Sequence, residues 1–284
     1  MSTTSISEAK ISALTPKEYR LMARGGEWRG MPVPQNCCIG YSQHAVVVLP
    51  KDYAYEFLLF CTRNPRGMFV SDVCEPGSPH PMLLAAEADV RTDCSKYRVY
   101  KYGEVVDEPE DILKYWRDDL VTFLLPCSFS FQGLLRQYKV NFRYMGVFTT
   151  NLCANPAGRF KCDNMLVSLR LFKTSHDAVR AIEITSRLPV SHGTPICIGD
   201  PSRIGIKDVC RPDIDSLPPG YKHAPKEPNE VAMCWICACT PENAIKEAKP
   251  PLAMVHYPGR HFISDHLTEE FAYTEEIGTN LLEA

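Results

Sequence analysis

The stretch VAMCWICACTPENAIKEAKPPLAMVHYPG, residues 231–259, decides the predicted fold class. The apolar run at 231–238 predicts a buried strand, and the charged, alanine-containing segment at 242–249 predicts a helix. The second apolar run, at 252–257, predicts another strand. Two strands joined by a helix form the repeating unit of a largely parallel sheet, so this stretch predicts an α/β protein.

The same order of elements occurs in two more places. TSHDAVRAIEITSRL (174–188) has the spacing of a capped helix and is followed by the strand TPICIGDP (194–201). Near the other end, HAVVVLP (44–50), PKDYAYEFLLFCTRNP (50–65) and MFVSDV (68–73) predict a strand, a helix bounded by prolines and a strand. Both places support the prediction of a largely parallel sheet.

The segment that precedes HAVVVLP (44–50) predicts a helix with clear boundaries. Thr15 and Glu18 have the spacing of a capping box, and Pro16 stands at the first helical position. Gly25 and Gly26 then predict its end.

Residues 91–172 follow a different pattern. YRVYKYGEVVDE (97–108) predicts a hairpin that turns near Gly103, and PEDILKYWRDDL (109–120) predicts a short helix. VTFLLPC (121–127) then predicts a buried strand, and a helix follows it. This middle part has an α+β pattern, and the chain length allows either one large domain or two unequal ones.

Composition excludes several classes of protein. The chain has 284 residues with 31 basic and 34 acidic side chains, which are interspersed and give a net charge of -3. Without a basic stripe, nucleic acid is not an expected partner. No run reaches the roughly 18 apolar residues of a membrane helix, so no membrane partner is expected either.

The N-terminal residues and the cysteines indicate the compartment. The first residues contain no apolar signal core, and Glu8 and Glu18 argue against an organelle presequence. The 13 cysteines have no framework spacing, which is typical of small buried side chains in a reducing compartment. We therefore expect a cytoplasmic protein, with the mitochondrial matrix as the less favoured alternative.

Polar clusters at the predicted strand ends are the candidate sites. In open α/β sheets, ligands bind beyond the carboxyl ends of the strands, where helix N-termini offer free N–H groups and partial positive charge. Four clusters meet this description: PCSFS (126–130), HGTPICIGDP (192–201), CTPE (239–242) and HYPGRHFISD (256–265).

The first cluster offers small donors at the start of a helix. Ser128 or Ser130 can cap that helix, and the free N–H groups beside them can receive a carboxylate oxygen. A plain N-cap with no further role is the simpler alternative. Cys127 would need a nearby base to act as a nucleophile, and most buried thiols are inert. The GxSxG motif is absent, so a hydrolase elbow is not supported.

The other clusters offer imidazoles and carboxylates. His192 precedes and Asp200 follows one predicted strand, so they would be separate contributors, and Asp200 also suits an Asx turn. His256, His261 and Asp265 flank a Pro-Gly turn, which could serve proton transfer or a metal. Zinc sites usually show a recognisable ligand spacing that is missing here, so we expect no metal and no cofactor.

Two segments place arginine beside aspartate. RTD (91–93) contains Arg91 and Asp93, and WRDD (116–119) contains Arg117 and Asp118. Arginine can grip a carboxylate with two hydrogen bonds, and aspartate can take a proton, although solvated ion pairs are the commoner explanation. These residues favour an enzyme that binds a small carboxylate, and the oligomeric state stays open to a homo-oligomer.

The order of motifs resembles the D-glutamate cyclase family. The matching segments span nearly the whole chain: LPKDYAYEFLLFCTRNP (49–65), DVCEPG (72–77), ADVRTDCSKYRVY (88–100), WRDDLVTFLLPCSFSF (116–131), AIEITSRLPVSHGTPICIGDP (181–201) and AKPPLAMVHYPGRHFISD (248–265).

The resemblance implies a fold and a reaction. The implied fold is a three-layer α/β/α domain with a mixed, mostly parallel sheet, from residues 1–85 and 166–284, and a smaller two-layer α+β domain from 86–165. The implied activity is that of a carbon–oxygen lyase, or hydro-lyase, that reversibly dehydrates D-glutamate to 5-oxo-D-proline or acts on a related small acid.

Lactam closure can be set against the candidate residues as a hypothesis. Arg91 or Arg117 would hold a carboxylate, with Asp200 as a further substrate contact. Asp93 or Asp118 would orient the carboxylate or take the amine proton. Ser128 and Ser130 would polarise the carbonyl, and His192 or His256 would carry protons.

Two positions depart from the family pattern as the resemblance gives it. Gln132 stands where FSFE would place a glutamate, and Arg260 stands where histidine is usual. Gln132 favours the alternative of a non-catalytic carboxylate-binding or regulatory protein. A third alternative is a metal-dependent hydrolase that uses His256, His261 and Asp265.

Overall fold

The computed structural model describes residue 11 and residues 13–28, 37–215 and 221–272. The helices are α1 (Pro16–Arg24), α2 (Lys51–Arg63), the short α3 (Pro65–Met68), α4 (Ser128–Gln137), α5 (Ser175–Ser186) and α6 (Thr240–Ala248). Strands β1–β5 are Tyr41–Pro50, Asp72–Val73, Tyr97–Lys101, Glu104–Asp107 and Leu120–Pro126. Strands β6–β11 are Phe142–Thr149, Leu166–Phe172, Cys197–Gly199, Val231–Ile236, Ala253–His256 and Phe262–Leu267.

Local sequence signals set several of these boundaries. In α1 the Thr15 hydroxyl accepts a hydrogen bond from the Glu18 N–H, and the Glu18 carboxylate accepts one from the Thr15 N–H, which confirms the predicted capping box. The predicted hairpin at Gly103 is confirmed as β3 and β4. The helix predicted at 109–120 is wrong, because only a single 3-10 turn forms at Leu113–Tyr115.

The strands form two antiparallel sheets. The larger sheet has seven strands in the order β2-β5-β1-β10-β3-β4, with β11 paired to β1 beside β10. The smaller sheet has four strands in the order β6-β7-β9-β8. Each pairing found among the described residues is antiparallel. The prediction of α/β content is confirmed, and the prediction of a mostly parallel sheet is wrong.

The helical connections explain this error. β1 and β2, joined by α2 and α3, both pair antiparallel with β5, so they run parallel to each other with β5 between them. β7 and β8, joined by α5, are likewise parallel with β9 between them. The remaining helices α4 and α6 connect one sheet to the other. Where both strands belong to one sheet, the strand–helix–strand order therefore predicts that the two strands are parallel. It does not predict which strands are neighbours or whether they share a sheet.

The main core lies between the two sheets. Alternate residues of β1 and β5 from the larger sheet and of β7 and β9 from the smaller sheet meet in one apolar cluster, together with side chains of α2 and α6. The opposite face of the smaller sheet is covered by α4 and α5. β3, β4 and β5 belong to the sheet of β1, whereas β6 belongs to the other sheet, so the boundaries predicted at 86 and 166 do not separate the two sheets.

This arrangement brings distant segments to one junction. β5 ends at Pro126 and leads directly into α4, which packs on β7 and β9 of the smaller sheet. The turn between β10 and β11, residues 257–261, approaches the same place from the larger sheet. Within the described ranges, no helix is long and apolar enough to cross a membrane.

Candidate active site

A fully buried arginine lies at the centre of this junction. Leu169 and Leu171 of β7 face the main core, so the alternation of the strand turns Arg170 toward α4. Its Nε donates to Gln132 Oε1 at 3.0 Å, and its Nη2 donates to Ser128 Oγ at 3.1 Å. The guanidinium also stacks on three aromatic rings, those of Phe131, Tyr144 and Trp235.

Arg170 carries a charge that no carboxylate neutralises within the described part of the chain. Its hydrogen bonds go to neutral groups on Gln132, Ser168 and Ser128. Burial lowers the pKa of Arg170 to about 10, which still leaves the guanidinium protonated at neutral pH. Buried charges are normally paired, so this one provides an unused attraction for an anion.

The Ser128 hydroxyl, at the N-terminus of α4, is polarised by this charge. Its oxygen accepts hydrogen bonds from Arg170 Nη2 at 3.1 Å and from Ser168 Oγ at 3.3 Å. A hydroxyl has two acceptor lone pairs and one proton, so the Ser128 proton is directed to a third partner. Ser128 lies next to Cys127 at the N-terminus of α4, and its hydroxyl opposes the rise of the thiol pKa that burial causes. Ser128 is thus a donor polarised from behind by a buried cation.

A thiol and an imidazole form a close pair next to Ser128. Cys127 is the N-cap residue of α4, and its Sγ lies 3.0 Å from Nε2 of His261, the residue before the first residue of β11. Burial raises the pKa of Cys127 to about 12 and lowers the pKa of His261 well below its ordinary value. Both groups are therefore neutral at neutral pH, and the tautomer of His261 decides whether the sulfur or the nitrogen donates the proton between them.

Three more buried histidines lie close enough to His261 to lower its pKa. The His256 ring lies 4.9 Å from the His261 ring, and its Nδ1 accepts a hydrogen bond from the Val46 N–H at 3.3 Å. Nε2 of His256 and both ring nitrogens of His44 and His192 are buried without a hydrogen-bond partner among the described residues. Unpaired buried nitrogens are costly, which favours water or a ligand at this cluster.

A small void opens onto these groups. It has a volume of about 20 Å³, which is room for roughly one water molecule. Its lining includes Cys127, Ser128, Tyr144, Cys237, Cys239 and His261, together with Pro258, Gly259 and Ile214. A ligand as large as glutamate therefore enters only if some of these lining residues move.

Comparison with known proteins gives the family. A model of the D-glutamate cyclase family matches residues 121–265, which contain both Cys127 and His261. The chain belongs to this family. The matched range also includes Arg170, Cys237 and Cys239, whereas His44 lies outside it.

Relatives match over nearly their whole length. Proteins of Bacillus licheniformis and Bacillus subtilis, each named "Putative hydro-lyase", are 40% identical to this chain, covering 92% and 91% of it and 98% and 99% of their own lengths. A Geobacillus kaustophilus protein with the same printed name is 41% identical over 90% of this chain and 96% of its own. The similarity therefore extends over nearly the whole of this chain and of these three relatives.

A solved structure, a nitrogen repressor-like protein from Methanococcus jannaschii, matches with a TM-score of 0.36 and 9% identity over 85% of this chain and 94% of its own. A likeness of this size supports no conclusion about fold or function.

The cyclase-family chain brings only some of the sequence-predicted residues to this cluster. Ser128 lines the void and His256 contacts His261. His192 packs edge-on against Phe131, the ring on which Arg170 stacks. The Ser130 hydroxyl accepts from the Gln43 N–H at 2.8 Å and donates to the Gln43 carbonyl at 3.1 Å, so it fixes β1 to α4.

The predicted arginines and aspartates are engaged elsewhere. Arg91 pairs with Asp89, Arg117 pairs with Asp119, and the Asp200 carboxylate accepts from the Ser202 N–H. Asp118 is exposed. Asp93 is buried and forms two hydrogen bonds with the Arg24 guanidinium of α1. None of these contacts reaches the cluster.

The Arg24–Asp93 pair gives a test of a structural role. We expect Arg24→Ala to lower the free energy of unfolding by about 2–3 kcal/mol, because it leaves a buried carboxylate with fewer donors. Urea unfolding measures this change. Arg117→Ala is the matched control and should cost about 0.5 kcal/mol or less, since its partner is at the surface. Equal effects of the two variants would contradict the structural role of Asp93.

The three residues of the metal-hydrolase alternative are not brought together. Asp265 is held by Arg20 at 2.8 and 3.0 Å, while His261 hydrogen-bonds Cys127. In the ranges that the structure describes, no group of three or more histidine, cysteine or acidic side chains could hold a metal ion.

Sequence reasoning missed Arg170 and the role of His261 as a partner of a thiol. Arg170 had a usable signal: in LVSLRLF, Ser168 and Arg170 are polar residues at alternate positions of an otherwise apolar strand. The pairing of Cys127 with His261 had no such signal, because 134 residues separate them.

Proposed function

We propose that this protein is a carbon–oxygen lyase that interconverts D-glutamate and 5-oxo-D-proline. The proposed site, here named the Arg170 cluster, consists of Arg170, Ser128, Cys127, His261 and His256. The observation that carries the proposal is the buried, uncompensated charge of Arg170 behind the Ser128 hydroxyl. A small carboxylate is the ligand that this charge would attract. The family of the chain supports a hydro-lyase.

Lactam closure needs a donor where negative charge develops. The amine nitrogen of D-glutamate attacks the side-chain carboxyl carbon, a C–N bond forms, and a C–O bond then breaks to release water. The oxygen that remains on that carbon becomes more negative before the C–O bond breaks. The Ser128 O–H, polarised by Arg170, is placed to stabilise that oxygen in a site that excludes bulk water.

The same reaction needs a proton carrier. The amine must lose a proton and the departing oxygen must gain one. His261 is neutral at neutral pH and therefore able to accept a proton, and Cys127 at 3.0 Å can exchange one with it. His256, beside His261, offers a second imidazole for the same transfer.

Proton NMR of the purified protein tests the proposed function directly. Samples receive D-glutamate or 5-oxo-D-proline, and the two L-enantiomers serve as controls. We expect interconversion of the D-pair alone. A folded sample that converts neither D-compound would contradict the proposed reaction.

Gln132 provides a sharper test of the Arg170 charge. Because Gln132 Oε1 lies 3.0 Å from Arg170 Nε, Gln132→Glu would place a carboxylate on the guanidinium and neutralise it internally. We expect turnover to fall by at least about 10-fold, since the charge would no longer polarise Ser128. Gln137→Glu, on the exposed side of the same helix, is the matched control. A gain of turnover in Gln132→Glu would instead show that position 132 needs a carboxylate.

Gln132 favours a second candidate function, which is a protein that binds a carboxylate in a regulatory role without catalysis. An amide cannot carry a proton as the glutamate of the family pattern could. Calorimetric binding of D-glutamate without product in the NMR samples would favour this alternative.

A further inference from the structure

The geometry of the Cys127 pair points to covalent chemistry. We infer that Cys127 is a nucleophile that forms a thioester with the side-chain carbonyl carbon of a D-glutamyl group, with His261 as its base. The site would then also accept γ-amides and γ-esters of D-glutamate. This inference rests on the proposed function, because it uses the same void and the same substrate class.

Three features support a nucleophilic role for Cys127. His261 Nε2 lies 3.0 Å from the sulfur, which is the distance expected between a nucleophile and its base. Cys127 stands at the N-cap position of α4, a helix of 10 residues, where partial positive charge favours a thiolate. The charge of Arg170 and the polar groups of Phe129 and Ser128 oppose the effect of burial on the pKa of the thiol.

The void gives the reacting carbon a place. Cys127 and Ser128 line the same space, so an attacking sulfur and a donor for the carbonyl oxygen face one point. His261 also lines that space and can reach a leaving group there. A nucleophile, a base and an oxyanion donor around one small cavity are the parts that acyl transfer requires.

The ring-opening direction can be written with all atoms accounted for. The Cys127 sulfur attacks the lactam carbonyl carbon of 5-oxo-D-proline while its proton moves to His261 Nε2. A C–S bond forms, the ring C–N bond breaks, and the amine nitrogen takes the proton from His261. Water then attacks the thioester, a C–O bond forms, the C–S bond breaks, and the thiol recovers a proton through His261. The products are D-glutamate and free Cys127.

Acyl donors with better leaving groups follow from the same intermediate. A γ-amide would release ammonia and a γ-ester would release an alcohol, whereas the free acid must release water. Once the thioester has formed, the substrate's own amine closes the lactam or water hydrolyses the acyl group. We therefore expect D-glutamate γ-methyl ester to be consumed faster than D-glutamate.

The test traps the acyl group on the protein. Full-length wild type, Cys127→Ala, Cys127→Ser and Cys61→Ala are each mixed with D-glutamate γ-methyl ester, quenched in acid, and analysed by intact mass and peptide mapping. We expect one glutamyl group on Cys127 in the wild type and in Cys61→Ala, and none on residue 127 of either Cys127 variant. Cys61 is the matched control, because it is a thiol buried in the main core.

Turnover provides the second readout. Cys127→Ala and Cys127→Ser should convert 5-oxo-D-proline at least about 1000-fold more slowly than the wild type, as expected when a nucleophile is removed. The serine variant nearly preserves the shape of the side chain, and its urea unfolding curve shows whether a loss of activity comes from misfolding. Hydroxylamine added to wild type and 5-oxo-D-proline should yield the γ-hydroxamate, and neither variant should yield it.

The outcomes separate this inference from the proposed function. If the D-pair interconverts equally well in Cys127→Ala, the proposed function stands and the thioester is excluded. An adduct on Cys237 or Cys239 would overturn the assignment to Cys127. If the wild type does not interconvert the D-pair, the proposed reaction fails, and the γ-ester alone decides the inference: an adduct on Cys127 supports it, and no adduct overturns it.

Discussion

Lowering the pH from 7 to 5 is expected to remove most of the stability of this protein, because four buried histidines must stay neutral in the folded state. Burial lowers the pKa of His44 and His192 to about 3 and that of His256 to about 4. The pKa of His261 is also lowered well below its ordinary value. Neighbouring positive charge adds to this effect, from Arg170 near His192 and from Arg98 near His256.

The direction of the effect follows from proton binding. Below a pH of about 6.5 the unfolded chain protonates these histidines, whereas the folded chain does not do so until pH 3–4. The unfolded state therefore binds more protons, and stability is lost as the pH falls through this window. Each neutral histidine costs about 2 kcal/mol at pH 5, so four together approach the total stability of an ordinary domain.

Urea unfolding at a series of pH values measures this loss. His192→Asn removes one titrating ring, and asparagine tolerates the positive φ of 73° at this position. The difference in unfolding free energy between pH 7 and pH 5 should shrink by about 2 kcal/mol in this variant. His176→Asn, at an exposed position, should leave the difference unchanged. A wild type equally stable at both pH values would contradict the prediction.

Replacing Arg170 with lysine is expected to reduce turnover by at least about 100-fold, the effect usually seen when a donor to a developing oxyanion is lost. The guanidinium contacts Gln132, Ser168 and Ser128 at once. A lysine ammonium is a compact point charge and cannot reproduce this planar set of contacts. Ser128 would then lose its orientation while a positive charge remained in the site.

Kinetics and unfolding must be measured together for this variant. Arg143→Lys is the matched control, because Arg143 lies on β6 of the same sheet and pairs with the carboxylate of Glu230. Ser128→Ala should resemble Arg170→Lys in turnover, since Arg170 acts on the reaction through Ser128. Near wild-type turnover in both Arg170→Lys and Ser128→Ala would remove the Arg170 cluster from the mechanism.

Part of the fold could be predicted because its signals are local. The capping box of Thr15 and Glu18, the hairpin at Gly103 and the passage from a buried strand into α4 each depend on a few consecutive residues. Strand neighbours could not be predicted in the same way. Inserting β5 between β1 and β2 depends on contacts between segments far apart in sequence, which hydrophobic periodicity does not encode.

The candidate site shows the same difference between local signals and contacts between distant segments. Ser128 was accessible to sequence reasoning because serine after a buried strand and before a helix has a known use. Sequence reasoning selected Arg91 and Arg117 because each has aspartates nearby in the sequence. Neighbouring aspartates, Asp89 and Asp119, bind these arginines in local ion pairs. Arg170 has no acidic neighbour in sequence and receives its neutral partners from α4, so its role became visible only in the folded chain.

By itself, the sequence determined the secondary structure content, most helix and strand positions, the family, and the serine at the start of α4. These properties depend on local conformational preference and on motif order. The tertiary structure decided that the sheets are antiparallel, that Arg170 is buried without a carboxylate among the described residues, and that Cys127 meets His261. Each of these depends on which residues burial brings together, and the free energy of burial is a property of the whole packed chain.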